Sequence, residues 1–413
     1  MIFTLDLVQT VAFAGVILFV GYGIRTVVPP LARVNIPAPV CGGLPVAGIL
    51  AVLYFAGYQP LKFDTTLQTP LQNAFFASVG FGASVALLLR GGVLVILFFV
   101  IATIAAALQN VLGGFVAIAL GQHPLMGVLA GSVTLTGGPA TGLAFAPFFQ
   151  EAGVPGAATL AVAAAMVGIV AGGVIGGPIG TYLIERGGRR PPAPGRAPRE
   201  TLANVAERQF VEPVTEIPSG EDVEAYVLLK HLVIVVTAIA VGLWVSAWLT
   251  AVLKPYGMTL PVYIGAMLVA AAFRNLDDVT RMLGLSQRVI DDIGTVALSL
   301  FLVMALMTLR LWEIAGLVLP LLIVLAAQVL FIAALCLFVI PRLMGRDYDA
   351  AVISAGFAGF MLGTTANAMA NMGALVERYG PSPKAYFVVP LVGAFAIDFT
   401  NAILITFFLN LWR

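Results

Sequence analysis

Charge is scarce in this chain. Asp, Glu, Lys and Arg make up 10% of its 413 residues, against roughly a quarter in a soluble globular domain. The formal balance is +1 and no basic block occurs, so nothing in the charge pattern points to nucleic acid. Histidine is scarcer still. With His123 and His231 alone, there is no H-E-x-x-H zinc site and no His-based hydrolase triad. No Walker A motif occurs, so ATP-driven pumping has no support. The two cysteines, Cys41 and Cys336, lie in apolar surroundings and read as small packing residues rather than as a disulfide or metal ligands. No Lys or Arg precedes Arg25. The first apolar run therefore reads as a retained span rather than a cleaved signal, which needs a basic start.

What fills the chain instead is hydrocarbon: 60% of the residues are hydrophobic. Apolar runs of about 20 residues recur throughout, the length that crosses a bilayer as a helix. An all-α polytopic membrane protein follows. Spans are expected at about 5–27, 38–58, 71–89 and 93–120, the last with Gln109-Asn110 near its middle. Residues 125–149 are too interrupted for a span and too apolar for a solvent loop. Gly137-Gly138-Pro139 breaks a helix. Within a bilayer such a break is tolerated only where protein or a water-filled cavity surrounds it, so a re-entrant hairpin broken over Gly137–Gly142 is expected. A further span, about 157–184, completes the first half. Residues 186–226 are Pro/Arg-rich and then acidic, and read as a flexible cytoplasmic linker.

The second half repeats the pattern, with spans at about 227–250, 260–273, 293–309, 317–340 and 387–411 and a broken segment at 348–376. An offset of 226 sets Gly137 on Gly363 and Thr141 on Asn367. Such weak internal symmetry is what a transporter made of two repeats shows. Five spans per half is odd, so the second repeat, 227–413, enters the membrane inverted relative to the first, 1–185. With both termini outside, only Lys62, Lys254, Arg310 and Arg413 of the 21 basic residues fall outside, as the positive-inside rule requires. Trp248, Trp312 and Trp412 then lie near the outer interface.

Asp398 is the one carboxylate squarely within an expected span. It costs about 2.5–3.5 kcal/mol at a helix centre on insertion scales. Asn401, three residues on, shares its helix face. Together with Thr136, Asn371 and carbonyls freed by a broken hairpin, they offer the oxygen ligands a hard cation such as Na⁺ favours. Gly137, Gly138, Thr141, Gly363, Thr364, Thr365 and Asn367 sit at or beside the two breaks. Helix N-termini there present N–H groups and a positive dipole end to carboxylates. The competing reading is packing glue between helices; for Gln109, Asn110 and Gln328 it is at least as good. His123 and His231 read as loop and interface residues.

Several stretches carry a resemblance over nearly the whole chain. They are Pro124-Leu-Met-Gly-Val-Leu-Ala-Gly-Ser132, the Gly-Gly tip, Gly176-Gly-Pro178, Ser299-Leu-Phe-Leu-Val-Met-Ala-Leu306, Tyr348-Asp-Ala-Ala351, Ala370-Asn-Met372 and Val389-Pro-Leu-Val-Gly-Ala-Phe395 leading to Asp398 and Asn401. In these the chain resembles the bacterial sodium/glutamate symporters. The resemblance implies a homodimer of two inverted five-span repeats with re-entrant hairpins, in the cytoplasmic membrane. It also implies elevator-type, Na⁺-driven uptake of L-glutamate with no cofactor beyond Na⁺. The tips depart from the family pattern. Pro139 stands where the family has His, and Ala366 where it has Pro, which bears on the substrate and leaves fold and cation coupling intact. Aspartate or another dicarboxylate on the same machinery, a Na⁺/H⁺ antiporter using Asp398, and a membrane enzyme or structural subunit are the rival readings.

Overall fold

The structure, a computed structural model, describes residues 3–33, 35–58, 61–90, 92–186, 223–253 and 261–412. Most of the expected linker, 187–222, lies outside them. The first half contains α1 (Leu7–Val27), α2 (Ala38–Phe55), α3 (Gln68–Gly82) and α4 (Gly92–Ala119). A broken segment follows: α5 (Pro124–Val128), a wide turn of π type over Leu129–Val133, and α6 (Gly138–Glu151). Helix α7 (Ala157–Arg186) ends this half. The second half contains α8 (Val223–Leu253), α9 (Val262–Thr280), α10 (Gln287–Met307) and α11 (Val318–Ala334), which continues through a π turn at Leu335–Val339. Then come the broken pair α12 (Tyr348–Leu362) and α13 (Thr365–Tyr379), and a last span made of α14 (Pro383–Leu391), a π turn at Val392–Ala396 and α15 (Ile397–Leu411). The order of elements is the same in the two halves. Among the described residues, seven helices are long and apolar enough to cross a membrane. Among the described residues the one sheet is a two-residue parallel pair, Phe3–Thr4 on Leu61–Lys62.

Three expectations shift. The linker ends earlier than 226, because Val223–Tyr226 already belong to α8. The third span is split: α3 stops at Gly82 and a short helix, Val85–Arg90, follows. Asn275 bridges the gap, donating to the Ala83 carbonyl at 2.8 Å and accepting from the Val85 N–H at 2.9 Å. The first hairpin break is also shorter than Gly137–Gly142. Helix resumes at Gly138, with Pro139 in its first turn, where a missing N–H costs nothing and the fixed φ suits a helix start. The breaking residue thus starts the second arm rather than prolonging the gap.

Packing sorts the helices into two groups. One is α1, α2, α3, α8, α9 and α10; the other is α4, both broken pairs, α7, α11 and the last span. The second group shares the largest apolar core, running from Val95 and Phe98 through Phe357 and Phe360 to Ile405. Where the groups meet, the contact is apolar. Ala140 and Leu143 of α6 and Val162 of α7 pack on Val40 and Ala47 of α2 and on Phe301 and Leu302 of α10. Tyr263 of α9 stacks on Phe76 at 4.2 Å and receives the Phe145 ring edge-on at 5.5 Å. Cys41 and Cys336 are buried and free.

Candidate functional site

The site grows from two helix starts. Gly137 precedes α6, and Gly138 adopts φ +69°, a left-handed conformation natural to glycine. Thr364 caps α13, its hydroxyl accepting from the Asn367 N–H at 3.3 Å. The two tips adjoin: a Cβ added to Gly138 would sit 4.0 Å from the Gly363 carbonyl oxygen. Two helices of 14 and 15 residues therefore direct N-termini at one place. Their first-turn N–H groups lack intrahelical acceptors and the dipoles add positive potential. No Lys or Arg lies in either tip. The arrangement suits a carboxylate held by backbone rather than by a basic side chain.

Neighbouring helices fix both tips. Gln109 of α4 accepts from the Thr136 hydroxyl at 2.9 Å and donates to the Met361 carbonyl at 3.0 Å, so one amide ties the two breaks together. The Gln109 carbonyl in turn receives Gln328 at 2.7 Å. Asn110 accepts the Ser132 N–H at 3.0 Å. The polar pairs expected between helices are thus present, and they brace the hairpins. On the other side, Asn367 and Asn371, one turn apart on α13, donate to Ile169 and Gly172 of α7 at 2.7 and 2.9 Å. Asn371 also reaches the Ala355 carbonyl at 3.3 Å. Gly176 and Gly359 leave room for it, since a Cβ on either would fall on the Asn371 amide.

The last span touches both hairpins. Thr365 donates to the Gly393 carbonyl, within the π turn, at 3.1 Å. Asn401 donates to the Ser132 carbonyl at 2.9 Å. Asp398 lies in the first turn of α15, directly after that π turn, and is partly buried. Among the described residues no hydrogen bond or ion pair engages its carboxylate.

A profile of the family described as "Sodium/glutamate symporter" matches residues 3–381. The Haemophilus influenzae protein named sodium/glutamate symporter is 39% identical over 406 residues, 98% of this chain and 97% of its own. The Escherichia coli protein of the same name is 39% identical over 411 residues, 99% and 98% of the two chains. The chain belongs to the sodium/glutamate symporter family. It is a multi-pass membrane transporter, not an enzyme.

Within this family member the structure brings Gly137, Gly138, Thr136, Gly363, Thr364 and Thr365 to the facing tips. Thr141 is buried one turn into α6. Asn367 and Asn371 turn their amide N–H groups away, to α7. Sequence reasoning passed over Ser132, which closes a family-like stretch without being a breaker itself. The signal available was Gly131 before it, whose φ −102°, ψ −133° leave the helix and turn the Ser132 peptide toward Asn110 and Asn401.

Proposed function

We propose that this protein imports L-glutamate with Na⁺ across the bacterial cytoplasmic membrane. The single observation that carries the reading is the meeting of two helix N-termini at the Gly138–Gly363 approach, in a chain 39% identical to proteins named sodium/glutamate symporters. Gly137, Gly138, Thr141, Gly363, Thr364, Thr365 and Asn367 form the substrate site. Na⁺ binds beside it near Asp398 and Asn401, with Thr136 and Asn371 at its border.

Energetics favour more than one cation. Glutamate carries net −1, and an inside-negative membrane opposes its entry by about 2.3 kcal/mol per 100 mV. One Na⁺ cancels that charge; a second makes uptake electrogenic. Each tenfold Na⁺ gradient adds about 1.4 kcal/mol per ion. At least two Na⁺ per glutamate are proposed.

The transport cycle is an elevator. The tips belong wholly to one packing group, and its apolar seam with the other, Ala140 and Leu143 on Val40 and Phe301, has few directional bonds to break as one group slides. The shared order of elements supports two inverted repeats, one ending with α7 and one beginning with α8, joined by a cytoplasmic linker between Arg186 and Val223, with both termini outside. A homodimer is the assembly the family resemblance implies.

Purified protein in liposomes tests the reading. Na⁺-dependent counterflow of labelled glutamate is expected, stimulated by an inside-negative potential and at least 100-fold weaker in Asp398→Asn, on the order of magnitude for removing an ion ligand. Wild-type flux in that variant removes Asp398 from the site. Better competition by aspartate or a dicarboxylate than by glutamate reassigns the substrate, and Na⁺ flux coupled only to protons replaces symport with antiport.

A further inference from the structure

We propose that Ser132 is a direct ligand of the transported cation, and that its peptide carries cation binding to the substrate tip. This rests on the reading that the chain transports Na⁺.

The first observation is a pair of unsatisfied oxygens. Ser132 Oγ and Asn401 Oδ1 are both buried, at 0% and 1% residue exposure, and neither has a hydrogen-bond partner. Buried acceptors without donors are unfavourable and uncommon in folded proteins. These two belong to residues already bonded to each other, through Asn401 Nδ2 on the Ser132 carbonyl at 2.9 Å. One helical turn before Asn401 stands Asp398, a carboxylate within the last span with no partner among the described residues. A hydroxyl, an amide oxygen and a carboxylate form a hard, net-negative oxygen set, suited to a small alkali cation. Thr136 and Asn371 commit their donors elsewhere, to Gln109 and to Gly172 and Ala355. Gln328 Oε1 and Asn367 Oδ1 are also buried without a partner, but only Ser132 and Asn401 are bonded to each other, with a free carboxylate one turn from Asn401.

The second observation is where the Ser132 peptide leads. Its carbonyl accepts from Thr136 N–H at 3.2 Å and Gly137 N–H at 3.0 Å, besides Asn401. Its own N–H is held by Asn110 at 3.0 Å. One residue thus fixes the backbone of the tip from below while offering its side chain to the cation. A cation bound to Ser132 Oγ and Asn401 Oδ1 locks the Asn401 amide and the Ser132 peptide together. The peptide sets Thr136-Gly137, and those set Gly138 at the mouth of α6. Cation occupancy thereby prepares the N–H groups that meet the substrate carboxylate, a physical route for coupling.

The test uses the full-length protein in two assays. One is the thermal stability of purified protein without substrate, in NaCl against choline chloride at equal ionic strength. The other is Na⁺-dependent glutamate uptake in liposomes. Ser132→Ala is expected to raise the half-saturating Na⁺ concentration about tenfold or more, the scale seen when a metal site loses a supporting group. It should also abolish most of the Na⁺-induced stabilisation and leave stability in choline unchanged. Ser132→Cys, close in size but a poor ligand for a hard cation, should behave alike. Wild-type Na⁺ half-saturation in either folded variant overturns the proposal. So does failure of both variants to yield monodisperse protein, which would give Ser132 a packing role. If the wild type itself shows neither Na⁺ stabilisation nor Na⁺-dependent uptake, the symport reading fails along with this one, and the two failures are thereby told apart.

Discussion

In the first hairpin the break is held by side chains lent from other helices: Asn110 of α4 and Asn401 of α15 on the Ser132 backbone, and Gln109 of α4 on the Thr136 hydroxyl. In the second, apart from Gln109 on the Met361 carbonyl, the hairpin's own side chains do the holding. Thr364 caps the new helix, and Thr365, Asn367 and Asn371 reach out to the last span and to α7. Both solve the same problem, since a broken helix in a membrane must find partners for its polar backbone. They differ in where the solution is encoded. Apart from the Gln109 bond, the second break is held by side chains between Thr364 and Asn371. The first depends on residues that lie 22 and 269 positions from Ser132. Breaks held from outside are open to control by whatever binds between the helices, and the proposed cation ligand Ser132 lies at this break.

That contrast can be broken from the outside first. Gln109→Leu removes the bonds to Thr136 and Met361 and strands a buried hydroxyl and carbonyl. Each stranded group costs about 1–3 kcal/mol, so a clear drop in thermal stability and a near-complete loss of uptake are expected. Full uptake with unchanged stability would show that the tips do not need this brace. Gly138→Ala comes next. It puts a side chain in a left-handed conformation at φ +69°, a strain of about 1–2 kcal/mol. Glutamate uptake should fall about tenfold while the protein stays folded; unchanged kinetics would remove the Gly138 backbone from substrate binding. Smallest is Thr364→Ala, which deletes the cap of α13 at about 1 kcal/mol. Thr364→Ser should restore both stability and transport. If Ala and Ser behave alike, the second hairpin is not capped from within, and the comparison loses its second half.

Much of the frame was legible because it is written locally. Apolar runs long enough to span placed the helices, though α9 runs on to Thr280 and α10 starts at Gln287, past the expected 273 and before the expected 293, and Gly-Pro and Gly-Thr junctions gave both breaks. The first break was drawn too long, because Pro139 was read as a breaker when it starts a helix. The third span was drawn continuous, since Asn275, which bridges its gap, lies 192 residues from Ala83. The π turns at Leu335 and Val392 left no mark in the pattern. One extra residue in a turn changes neither composition nor hydropathy, yet the second of these turns adjoins Asp398.

The sequence by itself determined a helical membrane transporter with two broken segments and a carboxylate within its last span. Helix length, helix breaking and insertion cost depend on residues near one another in the chain. Only the tertiary structure decided that the tips meet at Gly138 and Gly363, that Gln109 ties them, and that Asn401 bonds Ser132 while each keeps a buried, unpartnered oxygen. Those pairings join residues far apart in the chain, and only the packing of whole helices sets which buried polar groups find each other.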